Sequence, residues 1–175
     1  MKKRKTFIAM ALVIAVLVLG VGYAAISNIT LNVNGTANVT ANADFNVEFD
    51  TDHTVDVETG AAGAYTNTTT ATMTVNLDSN TKTTSAIYKI DNTSSELSAN
   101  LTAKVTNDDE GLNKYVAITS QLYSDADCTA ELTGPIAKGT SAYLKVTASI
   151  TNNPSKDVAD KKFTVTITAE PADAN

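Results

Sequence analysis

Apolar and polar residues alternate with a period of two along most of this chain. The runs that show the alternation are 29–33, 45–49, 73–77, 97–105, 116–122, 144–150 and 163–169. The positions between the apolar residues are mostly Thr, Ser, Asn and Lys. Because successive side chains of a β-strand point to opposite faces, each run is predicted to be a strand with one buried face and one solvated face.

Residues typical of turns separate these runs. They lie at Asn34-Gly35, 60–63, 78–80, 108–111, Gly134-Pro135, Lys138-Gly139 and 152–154. Segment 66–72 is interpreted as a weakly patterned or edge strand, and 157–162 as a charged loop. About seven to ten short strands without an amphipathic helix predict an all-β fold, an antiparallel β-sandwich that is jelly-roll-like or Ig-like.

The N-terminus carries the features of an export signal. Four basic residues at positions 2–5 precede the uncharged apolar run 7–25. Gly22 and Ala24 place small side chains at −3 and −1 of a cut between Ala24 and Ala25. The run is also long enough to cross a bilayer, so an uncleaved anchor remains an alternative. We therefore predict one apolar helix in a leader, 1–24, that is a signal peptide or membrane anchor, followed by a single domain, 25–175, outside the cytoplasm.

Charge limits the partners of the part that follows the leader. Of 13 Lys and Arg residues, four lie in the leader, which leaves nine lysines against 19 acids and a net charge of −10. Such a surface repels phosphate backbones and anionic lipid. We predict no nucleic-acid partner, and membrane contact only through an uncleaved leader. Cys128 is the only cysteine, so no disulfide can form within the chain.

Residues for catalysis are sparse. His53 is the only histidine, which excludes a zinc site built from several imidazoles. A nucleophilic triad would have to recruit His53 from a polar stretch where a solvated loop histidine is the plain alternative. The sequence therefore predicts no catalytic residues, no enzyme activity and no cofactor.

Acidic clusters and sequons offer weaker candidates for binding and modification. Asp108, Asp109 and Glu110, followed by Gly111, are the best calcium candidates, ahead of the pairs Asp50/Asp52 and Asp125/Asp127. None has the full spacing of a calcium loop, and we interpret all three clusters as solvated turns rather than as a metal site. Asn-x-Ser/Thr sequons occur at Asn28, Asn34, Asn38, Asn67, Asn92 and Asn100.

The leader boundary carries a more specific pattern. Segment 20–28, Gly-Val-Gly-Tyr-Ala-Ala-Ile-Ser-Asn, resembles the end of the signal peptides that SipW-type signal peptidases cut in Firmicutes. Segments 88–94, 136–141 and 163–170 are similar to a strand entering a polar turn, a turn before a strand, and the closing strand of the same proteins. The chain thus resembles the TasA/camelysin group of secreted, fibre-forming biofilm-matrix proteins.

That resemblance implies a jelly-roll-like sandwich that polymerises by donor-strand exchange. Segment 25–34 fits the donor role, because Ile29, Leu31 and Val33 lie on one face of a strand near the mature N-terminus. Such a segment can add to an open sheet edge of the next copy, and head-to-tail addition gives an open filament. The alternative is that this strand pairs within its own domain.

The predicted function is a secreted structural subunit of extracellular surface or biofilm-matrix fibres. Its main partner is a further copy of itself, with other matrix or cell-wall components as possible additional partners. The alternative is a monomeric extracellular binding module for cell-surface glycan or protein.

Overall fold

The computed structural model describes residues 26–37, 45–106, 113–153, 158–159 and 162–172. The strands within this part are β1 (Ile26–Ala37), β2 (Glu48–Phe49), β3 (Asp56–Val57), β4 (Ala61–Asn67), β5 (Thr70–Leu77), β6 (Thr83–Asp91), β7 (Ala99–Thr106), β8 (Val116–Tyr123), β9 (Ser141–Ile150), β10 (Val158–Ala159) and β11 (Lys162–Pro171). The all-β prediction is confirmed for this part of the chain. The leader, 1–24, and the cut between Ala24 and Ala25 lie outside it.

Within the residues that the structure describes, no helix is long and apolar enough to cross a membrane.

The strands form two sheets. The first has the order β4-β5-β1-β11-β7, and β10 pairs with the start of β1. The second has the order β2-β6-β9-β8, and β3 pairs with β6. The first strand of the described chain therefore lies in the middle of the first sheet, with strands hydrogen-bonded to both of its edges.

Strand direction differs between β1 and the rest of the fold. Neighbouring strands elsewhere are antiparallel, as predicted, but β1 runs parallel to β10 and β11. For β1 the antiparallel prediction is therefore only half right, because its pairing with β5 is antiparallel and that with β11 is parallel. Parallel neighbours need a long connection, and here nearly the whole domain lies between the two strands.

One hydrophobic core receives side chains from both sheets. The largest fully buried side chains include those of Tyr88 on β6, Phe163 on β11, Met73 on β5 and Leu144 on β9. Burial alternates along β5, β9 and the described side chains of β11, with the inward positions buried and the outward Thr, Ser and Lys positions more exposed. The predicted alternation thus marks the core-facing rows correctly, and burial of these rows is the main favourable contribution to folding.

Two glycines that suggested turns lie inside strands. Gly35 belongs to β1, which continues to Ala37, so the predicted turn at Asn34-Gly35 is wrong. Gly63 belongs to β4, and only Gly60, with φ of 90°, makes the turn before it. A Cβ at position 63 would lie 2.6 Å from Val55 Cγ1. Glycine is needed at position 63 for close packing rather than for a change of direction.

Two weakly patterned segments also differ from their predictions. Segment 66–72 is not one strand: it contains the end of β4, a turn at Thr68 and Thr69, and the start of β5. Segment 157–162 was predicted to be a loop, but β10 occupies 158–159 and β11 begins at Lys162. Both segments belong to the first sheet, where β4 pairs with β5, and β10 and β11 pair with β1. Backbone pairing thus outweighs the polar composition of these segments.

Candidate assembly site

The middle position of β1 makes it the candidate site for assembly. Thr30 to Asn34 pair with β5 on one edge and with β11 on the other. Residues directly opposite each other in a sheet share a face. The predicted assembly positions Ile29, Leu31 and Val33 lie opposite residues that are buried on the neighbouring strands, namely Val75, Met73 and Ala71 on β5 and, for the last two positions, Phe163 and Val165 on β11.

Without β1 the first sheet would consist of two separate halves, β4-β5 and β11-β7. The edges of β5 and β11 would then face each other across an open groove, each with a row of unpaired backbone groups. Such edges are templates for an added strand. Whether the groove could persist depends on how each half is held to the second sheet.

Three hydrogen bonds hold the β4-β5 half to the second sheet. The Tyr88 hydroxyl donates to the Thr72 carbonyl at 2.9 Å. The Lys89 backbone N–H donates to the Tyr65 hydroxyl at 2.8 Å. The Phe49 backbone N–H donates to the Thr68 carbonyl at 2.7 Å. None of these bonds involves β1, so this half has its own attachment.

An aromatic cluster reinforces that attachment. The rings of Phe49, Tyr65 and Tyr88 pack with centroid separations of 5.7, 6.2 and 5.9 Å. Burial raises the pKa of Tyr65 to about 12 and that of Tyr88 further above its usual value. Both phenols therefore stay protonated at physiological pH, and the Tyr88 hydroxyl remains a donor.

The β11-β7 half is attached to the chain segments of the second sheet at the start of β7. Ala99, the first residue of β7, exchanges two backbone hydrogen bonds of 2.9 Å with Ile136, in the segment that leads into β9. Asn92, in the turn after β6, is fully buried, and its Nδ2 donates to Leu97 O at 3.0 Å and to Ala137 O at 3.1 Å. The sequon at Asn92 is therefore a structural asparagine in the folded chain.

In each acidic pair of the sequence, one carboxylate, that of Asp50 or Asp125, has protein partners. Asp50 forms a 2.7 Å ion pair with Lys89, and this hydrogen bond holds the pKa of Asp50 below its usual value. Asp125 accepts hydrogen bonds from the Thr129 hydroxyl and from the backbone N–H groups of Thr129 and Ala130, which also lower its pKa. These carboxylates stabilise their own loops.

No group of three or more His, Cys, Asp or Glu side chains suited to a metal ion occurs among the described residues. The calcium candidates Asp108, Asp109 and Glu110 lie outside that part of the chain, with Gly111.

The remaining candidates for chemistry are not brought together. His53 follows β2, and its ring packs edge-on against Tyr143 with a centroid separation of 6.4 Å. Cys128 is a free cysteine in the β8–β9 connection, with a left-handed φ of 52°. Burial raises the pKa of its thiol, which disfavours the reactive thiolate.

No protein-family model matches this chain, and no curated protein matches it significantly. The structural feature that bears most directly on function is the arrangement of β1 between the two half-sheets.

Proposed function

We propose that this protein is a secreted β-sandwich subunit of extracellular surface or matrix fibres, in which β1 of one copy fills the sheet of the next. One observation carries the proposal. β1, the first described strand, separates two half-sheets, and each half is attached to the second sheet without it. A domain of this kind can keep a groove ready for a strand supplied by another copy.

The energetics of exchange support the proposal. A strand supplied by a neighbour has the same sequence, so it can make the same backbone pairing with β5 and β11 as the resident strand and carries the same apolar residues, Ile29, Leu31 and Val33. The equilibrium between β1 paired in its own domain and β1 paired in a neighbouring copy then depends on the subunit concentration and on the linker between β1 and the rest of the chain. Seven residues, 38–44, lie between β1 and Phe45. Such a segment spans roughly 25 Å when extended, so β1 is not confined to its own domain by chain length.

The direction of exchange determines the form of the assembly. Each copy donates a strand at one place and accepts a strand at another, so the contact is head-to-tail. Because contacts of this kind need not close into a ring, successive copies can add to each other and form a filament. The export features of the leader, the net charge of −10 after it and the resemblance of segment 20–28 to the TasA/camelysin group support an extracellular location.

A monomeric extracellular binding module is the second candidate. The observation that favours it is that β1 is paired with β5 and β11 of its own chain. In that closed arrangement the strand completes the domain, and the function would lie on an outer face of either sheet, in binding of glycan or another surface protein.

Negative-stain electron microscopy of two matched variants tests the proposal. Leu31→Asp places a carboxylate at the position opposite Met73 and Phe163, which are both buried, and an unpaired charge beside such residues is strongly unfavourable. Asn32→Asp makes the same change of charge in the opposite row of the same strand. We expect filaments from the secreted wild type and from Asn32→Asp, and none from Leu31→Asp. Folded monomers instead of filaments from both the wild type and Asn32→Asp would favour the binding module.

A further inference from the structure

We propose that β8, the strand at one edge of the second sheet, is a self-association surface on which β8 of another copy pairs in antiparallel orientation across a two-fold axis. The contact does not involve β1, so it goes beyond the proposed strand exchange. It joins two copies, or two fibres lying side by side, through their second sheets.

The backbone of β8 has a free edge over most of its length. On one side the whole strand pairs with β9. On the other side the Leu132 N–H donates to the Leu122 carbonyl at 2.9 Å. Backbone groups alternate between the two edges of a strand, so those of Val116, Ile118 and Ser120 point to the same outer edge as those of Leu122. Within the described part of the chain, no other strand pairs with these three residues there.

The composition of β8 leaves this edge unprotected. Natural edge strands commonly carry charged residues or proline, which prevent pairing with another chain. The sequence of β8, Val-Ala-Ile-Thr-Ser-Gln-Leu-Tyr, contains no charge, proline or glycine. By contrast β7, an edge strand of the first sheet, carries Lys104. Ile118 packs against the core but is only partly buried, so an added strand would also cover apolar surface.

The distribution of charge indicates that the partner is a second copy of this chain. The part that follows the leader has a net charge of −10, so two copies repel each other over much of their surface. The uncharged β8 has opposite charges at its two ends. Lys114 precedes the strand, and Glu131 lies opposite Tyr123 at its far end, with both charged residues exposed. Antiparallel pairing brings Lys114 of each copy to the end where the other copy has Glu131, so the charges are complementary at both ends.

The free residues also define the register. If Ile118 lies opposite Ile118 of the second copy, Val116 lies opposite Ser120, and all three outward-facing residues are paired. Leu132 occupies the edge beside Leu122, so the pairing ends there. Both copies use the same patch, and such a contact is complete with two copies.

A disulfide between two chains tests this register. Ala117 would lie opposite Thr119 of the second copy in a non-hydrogen-bonded pair, with Cα atoms about 4.5 Å apart, a distance that a disulfide bridges. Both side chains are exposed. Secreted protein carrying Ala117→Cys is mixed with protein carrying Thr119→Cys, both with Cys128→Ser to remove the native thiol, and oxidised. We expect a crosslinked dimer on a non-reducing gel.

The matched control mixes Ala117→Cys with Gln121→Cys, also with Cys128→Ser. Gln121 is exposed on the same face of β8 but lies two residues out of register. These chains should stay separate on the gel.

The charged ends provide a second measurement. Lys114→Glu places like charges at both ends of the contact, so it should lower the yield of the Ala117/Thr119 crosslinked dimer. Adding Glu131→Lys to the same chains should restore the yield. Lys104→Glu makes the same change in net charge on β7 and should leave the yield unchanged.

The β8 contact would be overturned by a lack of crosslinked dimer in the Ala117/Thr119 mixture, or by an equal yield from the Ala117/Gln121 mixture. Filaments are scored separately by microscopy, because this disulfide can form with or without them. Filaments without the disulfide would remove the β8 contact and leave the exchange of β1 standing. Crosslinked dimers without filaments would support the β8 contact and count against the proposed function.

Discussion

A disulfide that closes β1 onto its own sheet is expected to abolish fibre formation completely and reversibly. Val33 and Ala71 lie directly opposite each other on β1 and β5. Opposite Cα atoms of antiparallel strands are about 4.5–5.5 Å apart, within the range that a disulfide bridges. Val33→Cys and Ala71→Cys, combined with Cys128→Ser to remove the native thiol, should therefore lock the strand in place.

The oxidised protein should be a folded monomer that is more stable than its reduced form by about 3–4 kcal/mol, because the crosslink restricts the unfolded chain. Reduction should restore filaments, as seen by negative-stain microscopy. The control combines Val33→Cys with Thr72→Cys, since Thr72 faces the opposite side of β5 from Ala71. That protein should form filaments with or without reductant. Filaments from the oxidised Val33/Ala71 protein would show that assembly does not need β1 to leave its own sheet.

Asn92→Asp is expected to lower the free energy of unfolding by about 3–5 kcal/mol. The Asn92 amide donates to two backbone carbonyls, those of Leu97 and Ala137, inside the protein. An ionised aspartate has no donor, so it would face both carbonyl oxygens with a buried negative charge. The loss should be measured by urea denaturation with an unchanged m-value.

The control for Asn92→Asp is Asn100→Asp, which makes the same chemical change at an exposed sequon on β7. Its effect should stay within about 0.5 kcal/mol, as for most surface substitutions. If both substitutions lowered the free energy of unfolding equally, the structural role of Asn92 would be contradicted. The result would point instead to a general effect of added negative charge on an acidic protein.

Much of the strand content follows from the alternation of the sequence. The apolar rows predicted at 73–77, 144–150 and 163–169 are the core-facing rows of β5, β9 and β11, and all their apolar residues except the partly buried Ile150 are buried. Alternation is a local property, because it reports which face of each strand is buried. It is informative wherever one face meets the core and the other meets solvent.

The position of β1 could not be predicted in the same way. The neighbours of β1 are determined by contacts between parts of the chain that are far apart in sequence. A period-two pattern indicates which face of a strand is buried, but it does not specify which strand pairs with it or whether the pairing is parallel or antiparallel. Gly35 illustrates the problem: an Asn-Gly pair is a strong turn signal, yet the pairing of β1 with β11 carries the strand through it.

Polar residues inside the core were missed for a related reason. The sequence indicates Asn92 only as a sequon and as part of segment 88–94, and it indicates Tyr88 only as part of that same segment. Their roles depend on the Thr72 and Ala137 carbonyls, which are distant in sequence. The signal that could have drawn attention to Tyr88 is its place between Ala86 and Ile90 in an alternating run, where a buried hydroxyl would need a partner.

The most direct test of the proposed exchange is a crosslink between two different chains. Protein carrying Val33→Cys and protein carrying Ala71→Cys, both with Cys128→Ser, are mixed under assembly conditions, oxidised and separated on a non-reducing gel. If β1 of one copy enters the sheet of the next, the two chains should join through a disulfide, and a mixture of Val33→Cys with Thr72→Cys should not. Filaments that assemble in the first mixture without that disulfide would contradict donation of β1.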